Sequence, residues 1–314
     1  MEQTYDRPEI SGFATIPKRI ITINDLTGFG RCSLAVVLPV ISAMQVQACP
    51  VPASVFSNHM GFPTYYHRDL TDGLDPFLKG LSDLGIAFDG VYCGFLSSVM
   101  QCDIVCHFIR ESKERSRSGG NDAPVILIDP VMGDNGKPYR IVTPELQLRI
   151  RELSCLATIL TPNLTEACLL TDTAFPSAAP DDAFLNELCC RLLALGPSRI
   201  AITGIHRGHT IRNYCMEQTP DGIQSFVIDS PCNGESRPGT GDIFASILAA
   251  DGVKQIPFRS SVQKAADFIR TCVNASEQAG VPVAEGVVLE NCLSLLYETD
   301  YAAQKCLSQG RFTD

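Results

Sequence analysis

The sequence predicts an α/β domain built on a mostly parallel sheet with helices on both faces. Short apolar runs at Arg19–Ile23, Gly90–Phe95, Val125–Ile128, Ala157–Leu160 and Arg199–Thr203 alternate with longer helical stretches. The runs are continuously apolar rather than alternating, the pattern of strands buried on both faces. No internal repeat and no Pro-, Gly- or Ser-rich linker divides the 314 residues. One domain is therefore expected over residues 18–300, with a flexible N-terminal segment over 1–17 and a C-terminal tail over 301–314.

Composition narrows the function classes. Hydrophobic residues make up 45% and charged residues 19%, which excludes extended disorder. The net charge of −10 argues against nucleic acid as a partner, so any bound polyphosphate must be held by local devices. No apolar run reaches the roughly 18 residues of a membrane span, and residues 1–17 lack the apolar core of a signal peptide. The fourteen cysteines include no CxxC pair. Cys93, Cys106, Cys168, Cys189, Cys190, Cys272 and Cys292 sit among apolar residues, as buried free thiols do. Cys102, Cys106 and His107 lack the partners of a zinc site. A reducing, cytoplasmic setting is expected.

Each element has a local reason. Arg19–Ile23 is β-branched and reads as a buried strand, followed by a loop over Asn24–Gly30. A helix is expected from about Ser33 to Gln47, with Pro39 as a kink or first turn. Ser54–Pro63 leaves a strand and turns at Gly61 and Pro63. Leu74–Leu84 is an amphipathic helix stopped at Gly85. Val99–Ser112 reads as a helix, and the charged, then Ser/Gly/Asn-rich stretch over 111–123 as a mobile surface loop. Thr143–Leu153 carries Pro144 in its first turn. Asp181–Leu195 ends at Gly196-Pro197. Thr210–Met216 and Gln224–Ile228 form an antiparallel pair. Ser260–Gln278 and Glu285–Tyr297 are the closing helices.

Three strand exits carry polar groups, and parallel strands bring their C-terminal ends to one side of the sheet. Asp129 and Asp134 follow the Val125–Ile128 strand. Asn163 and Glu166 follow Ala157–Leu160 at capping-box spacing, and capping alone accounts for both. Gly239-Thr240-Gly241-Asp242 precedes a stretch apolar all round, which reads as a buried helix. Such a start can turn several N–H groups toward an anion, and it can equally be a plain turn with an ordinary first-turn acid. Together the exits supply an anion-binding helix start, carboxylates suited to hydrated Mg²⁺ and one carboxylate placed as a base. That set fits phosphoryl transfer. No P-loop motif is present.

Gly239-Thr240-Gly241-Asp242, with Asp129–Asp134 and Thr161–Glu166 upstream, resembles the ribokinase superfamily. Asn24–Gly30 and Ser57–Phe62 are similar to its pyridoxal kinase branch, and the likeness spans residues 18–297. It implies a three-layer sandwich, usually homodimeric, that phosphorylates the 5′-hydroxymethyl of pyridoxal, pyridoxine or pyridoxamine. The family uses ATP, Mg²⁺ and usually a monovalent cation such as K⁺. Carried over, Asp242 is the base, kept ionised by its helix terminus, and Gly239, Thr240 and Gly241 complete the anion hole. Asp134 and Glu166 serve the metal, while Asn163, Thr203 and Thr240 serve the nucleotide. Asn24, Asp25, His59, Met60 and Phe95 hold the vitamin ring. Met60 and Phe95 depart from the family's usual Thr and Tyr, which removes two hydroxyls. Arg237 is also unusual: it is long enough to reach a phosphate, and a solvated surface residue is the alternative expected of it. Hydroxymethylpyrimidine phosphorylation is the alternative within the class; a non-catalytic pyridoxal phosphate binder is the alternative outside it.

Overall fold

The structure, a computed structural model, describes residues 16–120, 122–232 and 236–297. Along the chain run β1 (Arg19–Thr27), α1 (Leu34–Ala43), β2 (Gln47–Phe56), β3 (His67–Asp69), α2 (Thr71–Asp83), β4 (Gly90–Cys93) and α3 (Val99–Ser118). Next come β5 (Val125–Ile128), β6 (Gly133–Asp134), β7 (Lys137–Pro138), α4 (Pro144–Ser154), β8 (Ile159–Leu160), α5 (Leu164–Leu170) and α6 (Asp182–Leu193). The chain continues through β9 (Arg199–Arg207), β10 (Thr210–Thr219), β11 (Gly222–Pro231), α7 (Thr240–Val253) and α8 (Phe258–Gln278).

Nine strands form one sheet in the order β11-β10-β9-β8-β5-β4-β1-β2-β3, and β6 and β7 make a separate hairpin. The strands from β9 to β2 pair in parallel, while β3, β10 and β11 pair antiparallel at the edges. Neighbouring side chains on one strand leave by opposite faces. Ile21, Ile126 and Ile128 join the core under α2–α6, and Ile20, Leu127 and Ala201 the core under α1, α7 and α8. Burial on both faces is why the strands read as continuous apolar runs. α7 is buried from Ile243 to Val253, as its all-round apolarity predicts.

Five local expectations are corrected. β1 runs on through Asn24 and Asp25 to Thr27, with a register shift against β2 at that pair, so most of the expected loop is strand. α1 ends at Ala43 because Gln45 takes φ +59, and Gln47 already opens β2. α3 continues to Ser118, so the charged stretch from Glu111 is helix rather than mobile loop. Its exposed polar side chains pair one turn apart, His107 and Arg115 with Glu111 and Arg117 with Glu114, and Arg115 and Arg117 suit the negative helix end. The expected helix over Glu285–Tyr297 is present only from Leu293 to Tyr297, and Val283–Glu285 is a single 3₁₀ turn. There Gly286 turns at φ +78 and Val287, Val288 and Leu289 are buried in non-helical chain. Finally, Cys189 faces the core but Cys190 is exposed, as adjacent positions on α6 must be.

Candidate active site

The C-terminal ends of β1, β5 and β8 and the start of α7 open on one cleft of about 1160 Å³. Every residue nominated from sequence lines it: Asn24, Asp25, His59, Met60, Phe95, Asp134, Asn163, Glu166, Thr203, Gly239, Thr240, Gly241 and Asp242.

The start of α7 is shaped by Gly239, which caps the helix at φ +84 against the Arg31 carbonyl, where a side chain would collide. Ile243 N–H donates the first helical bond to Gly239 C=O at 3.0 Å. The N–H groups of Thr240, Gly241 and Asp242 precede that bond, at the positive end of a buried helix. The Thr240 hydroxyl donates to Arg237 C=O at 3.1 Å, so it braces the loop.

Asp242 is held from two sides. Its Oδ2 accepts the Ser33 N–H at 2.8 Å and its Oδ1 the Asn24 amide at 3.2 Å. The Asn24 Oδ1 accepts the N–H groups of Asp25 and Phe95, both at 2.9 Å, which sets which way the amide points. Asp25 accepts the hydroxyls of Ser33 and Thr27, both at 2.6 Å. Ser33 sits at φ 55, a conformation that non-glycine residues adopt at an energetic cost. Burial lifts the Asp242 carboxyl to about 7; the Asp25 charge adds to this, and the bonds from Ser33 and Asn24 pull the other way. The expectation of a fully ionised, weak base is corrected, because burial outweighs the helix terminus.

The β5 and β8 exits supply further carboxylates. Asp129 is buried, accepts the Thr161 hydroxyl at 3.4 Å and is pushed up to about 8 by burial and then by Asp242. Glu166 and Asn163 do form the capping box. The Glu166 carboxylate accepts the N–H groups of Asn163 at 2.8 Å and Met132 at 3.2 Å, tying the two exits together. Burial and Asp129 push Glu166 well above the usual carboxylate range. Asp134 is exposed and accepts from the Asn135 N–H and amide at 2.8 and 3.0 Å. The Tyr139 phenol is pushed upward by burial and then by Glu166, Asp134, Asp129 and Asp242, so all four carboxylates act on one region. Among the described residues no three acidic, His or Cys side chains converge to hold a bare ion. This donor set fits a hydrated Mg²⁺, which keeps several waters.

At the other end, Phe56 stacks on His67 with centroids 4.3 Å apart and meets Phe95 edge-on at 6.0 Å. His59 Nδ1 accepts the Gly61 N–H at 3.0 Å and Nε2 lies 2.7 Å from Ala284 C=O. The two contacts assign the proton to Nε2 and make His59 a stitch between two loops of the cleft. Met60 stands 38% exposed at the mouth. Thr203 bridges to Asn163 across β8 and β9, next to Gly204 at φ +70.

Arg237 is corrected. It is 6% exposed, and its Nη1 donates to the carbonyls of Val281, Pro282 and Gly286 at 3.0, 3.3 and 3.1 Å. Sequence reasoning also left Ser33, Phe56 and Tyr139 unnominated and gave Asp129 no role. Asp129 had a signal, being the first acid at a strand exit, and so had Phe56, which lies in the aromatic- and His-containing stretch Ser54–Pro63; Ser33 and Tyr139 had none.

Residues 85–286 match the family model described as phosphomethylpyrimidine kinase. The pyridoxal kinase of Arabidopsis thaliana is 32% identical over 231 residues, 72% of this chain and 70% of the relative. A Bacteroides thetaiotaomicron protein classed as a phosphomethylpyrimidine kinase, solved with pyridoxal, superposes with TM-score 0.83 at 31% identity, covering 90% of this chain and 96% of its own. The pyridoxal kinase of Leishmania donovani, solved with ADP and pyridoxamine, shares the fold with TM-score 0.81 at 21% identity, over 89% of this chain and 95% of its own.

Proposed function

The chain belongs to the family of that model, in the pyridoxal kinase branch of the ribokinase-like superfamily, and we propose that it moves the terminal phosphoryl group of ATP to the 5′-hydroxymethyl of B6 vitamers. One observation carries the reading. Asp242, a carboxylate lifted to about 7, is fixed by Asn24 and Ser33 at the head of α7, beside the anion hole and in the same cleft as the Phe56–Phe95 wall.

The flat pyridine ring packs on the aromatic wall, which brings its hydroxymethyl to Asp242. Asp242 takes the hydroxyl proton as the oxygen bonds to phosphorus; a base near 7 is matched to neutral pH. The N–H groups from Thr240 to Asp242 accept the charge on the transferred oxygens. Asn163 and Thr203 line the nucleotide side. Asp134 would hold a hydrated Mg²⁺ with Asp129 and Glu166 behind it; when bound, the ion neutralises charge on the phosphates. A monovalent cation such as K⁺ and a homodimer rest on the family resemblance. A cytoplasmic setting is supported by the buried free thiols of Cys93, Cys102, Cys106, Cys168, Cys189, Cys215 and Cys272; no described helix is long and apolar enough to cross a membrane.

ADP release from ATP with pyridoxal, pyridoxine, pyridoxamine and hydroxymethylpyrimidine tests the reading. Release with the three vitamers is expected. Preference for the pyrimidine by tenfold or more would move the chain to that substrate, and vitamer binding without ADP release would make it a non-catalytic binder.

A further inference from the structure

The cleft is acidic where it should receive an anion. Asp25, Asp129, Asp134, Glu166 and Asp242 line it, and among its described lining residues only Arg237 and Arg270 carry fixed positive charge. Arg270 is half-exposed and paired with Asp267 at 3.2 Å. Arg237 is more than nine-tenths buried and makes no ion pair among the described residues. A buried charge is strongly unfavourable unless something answers it.

The guanidinium is half used. Nη1 donates to three carbonyls of the 281–286 segment. Nε is sealed from solvent with no acceptor, and Nη2 bonds to no described residue. Nη2 is therefore the end of the fork left to donate to a phosphate oxygen. The carbonyl clamp on Nη1 fixes the plane of the fork. The backbone holds its root, since Arg237 C=O accepts the Thr240 hydroxyl at 3.1 Å, two residues before the anion hole ends at Asp242.

We propose that Arg237 receives the transferred phosphoryl group on Nη2, so that it binds the phosphate monoester of the product. This rests on the kinase reading above. Arg237 touches the reacting group, and the same side chain anchors the 281–286 segment through Nη1.

The test compares the wild type with Arg237→Gln and Arg237→Lys. Dissociation constants for pyridoxal and pyridoxal 5′-phosphate are measured by absorbance titration, those for ADP and a non-hydrolysable ATP analogue by calorimetry, and folding by thermal melts. Loss of a charge-assisted hydrogen bond should reduce the preference for pyridoxal 5′-phosphate over pyridoxal by about 10- to 100-fold in Arg237→Gln. Pyridoxal affinity should change less than about threefold, since pyridoxal has no phosphate to accept that bond. Arg237→Lys keeps a donor for the carbonyl clamp without the fork. It should therefore melt near the wild type and still lose most of the preference, which keeps the proposal testable if Arg237→Gln misfolds. A preference unchanged in folded variants overturns the proposal, as does a loss confined to the ATP analogue over ADP. Equal weakening of pyridoxal and its phosphate overturns it too, leaving Arg237 as an anchor only. If the wild type binds neither vitamer, the B6 reading fails and takes the proposal with it.

Discussion

Asp242→Asn should leave a protein that is nearly inactive and, at alkaline pH, more stable. The exchange keeps the shape and removes the proton acceptor, so turnover should fall by about 10²–10⁴-fold. Burial moves the carboxyl from 3.8 to about 7. That displacement corresponds to about 4 kcal/mol of penalty for the ionised group in the fold. Because the folded pKa is the higher one, the native chain holds the proton more tightly than the unfolded chain. The group's stabilising contribution is complete below 3.8 and is lost as pH rises through about 7. The Asn variant escapes this loss. It turns one amide hydrogen pair toward a donor, Ser33 N–H or the Asn24 amide, at about 1–3 kcal/mol. The net at pH 8 is a gain of about 1–3 kcal/mol, a rise of several degrees in Tm for a domain of this size. Two assays follow: ADP release at saturating pyridoxal, and melts from pH 5 to 8.5 on both proteins. Wild-type kcat/KM should rise with pH through about 7 and then level. A variant retaining more than about a tenth of the rate would remove Asp242 from the base role. One melting several degrees lower at pH 8 would show an anchoring carboxylate rather than a penalised one.

Asp134→Ala and Glu166→Ala should each raise the Mg²⁺ concentration giving half-maximal rate, and together they should be non-additive because both serve one ion. If Glu166→Ala only lowers Tm, by the roughly 1 kcal/mol of a lost cap, its carboxylate is a brace and nothing more. Gly239→Ala should destabilise by at least about 1–2 kcal/mol from the left-handed backbone alone and suppress turnover, because the added carbon meets the Arg31 carbonyl; a variant with wild-type Tm and rate would show that the loop has room to move. Met60→Thr should raise kcat/KM for B6 vitamers relative to hydroxymethylpyrimidine by up to about tenfold, the worth of one neutral hydrogen bond. Unchanged ratios across the four substrates would mean that residue 60 does not face the ring.

The sheet was legible because its strands are buried on both faces, and Val125–Ile128 has no other way to satisfy four apolar residues in a row. α7 was legible for the same reason: only a buried helix is apolar all round. The misread stretches are those where composition and context disagree. Glu111–Ser118 looks like a solvated loop by its charges, yet the charges recur at helical spacing and pair with one another. Asn24–Thr27 looks like a loop by its polarity, yet β2 pairs with it through Phe56.

The same division holds in the cleft. Glycine at 239 and the acids at the strand exits each have a plain use as a turn or a helix cap, and what marked them from sequence was that parallel strands bring their exits to one side of the sheet. What the chain does with them depends on contacts that no local pattern encodes. Asn24 reaches Asp242 across 218 residues, and Ser33 reaches it across 209. His59 and Arg237 both end on the 281–286 segment. Two residues that look from sequence like a ring ligand and a surface charge therefore share one task, holding the closing segment against the site. Loosening either contact should be felt at Gly239 and Asp242, because the segments are packed so closely that a side chain at Gly286 would collide with the carbonyls of Gly30 and Arg31, and one at Gly239 with that same Arg31 carbonyl.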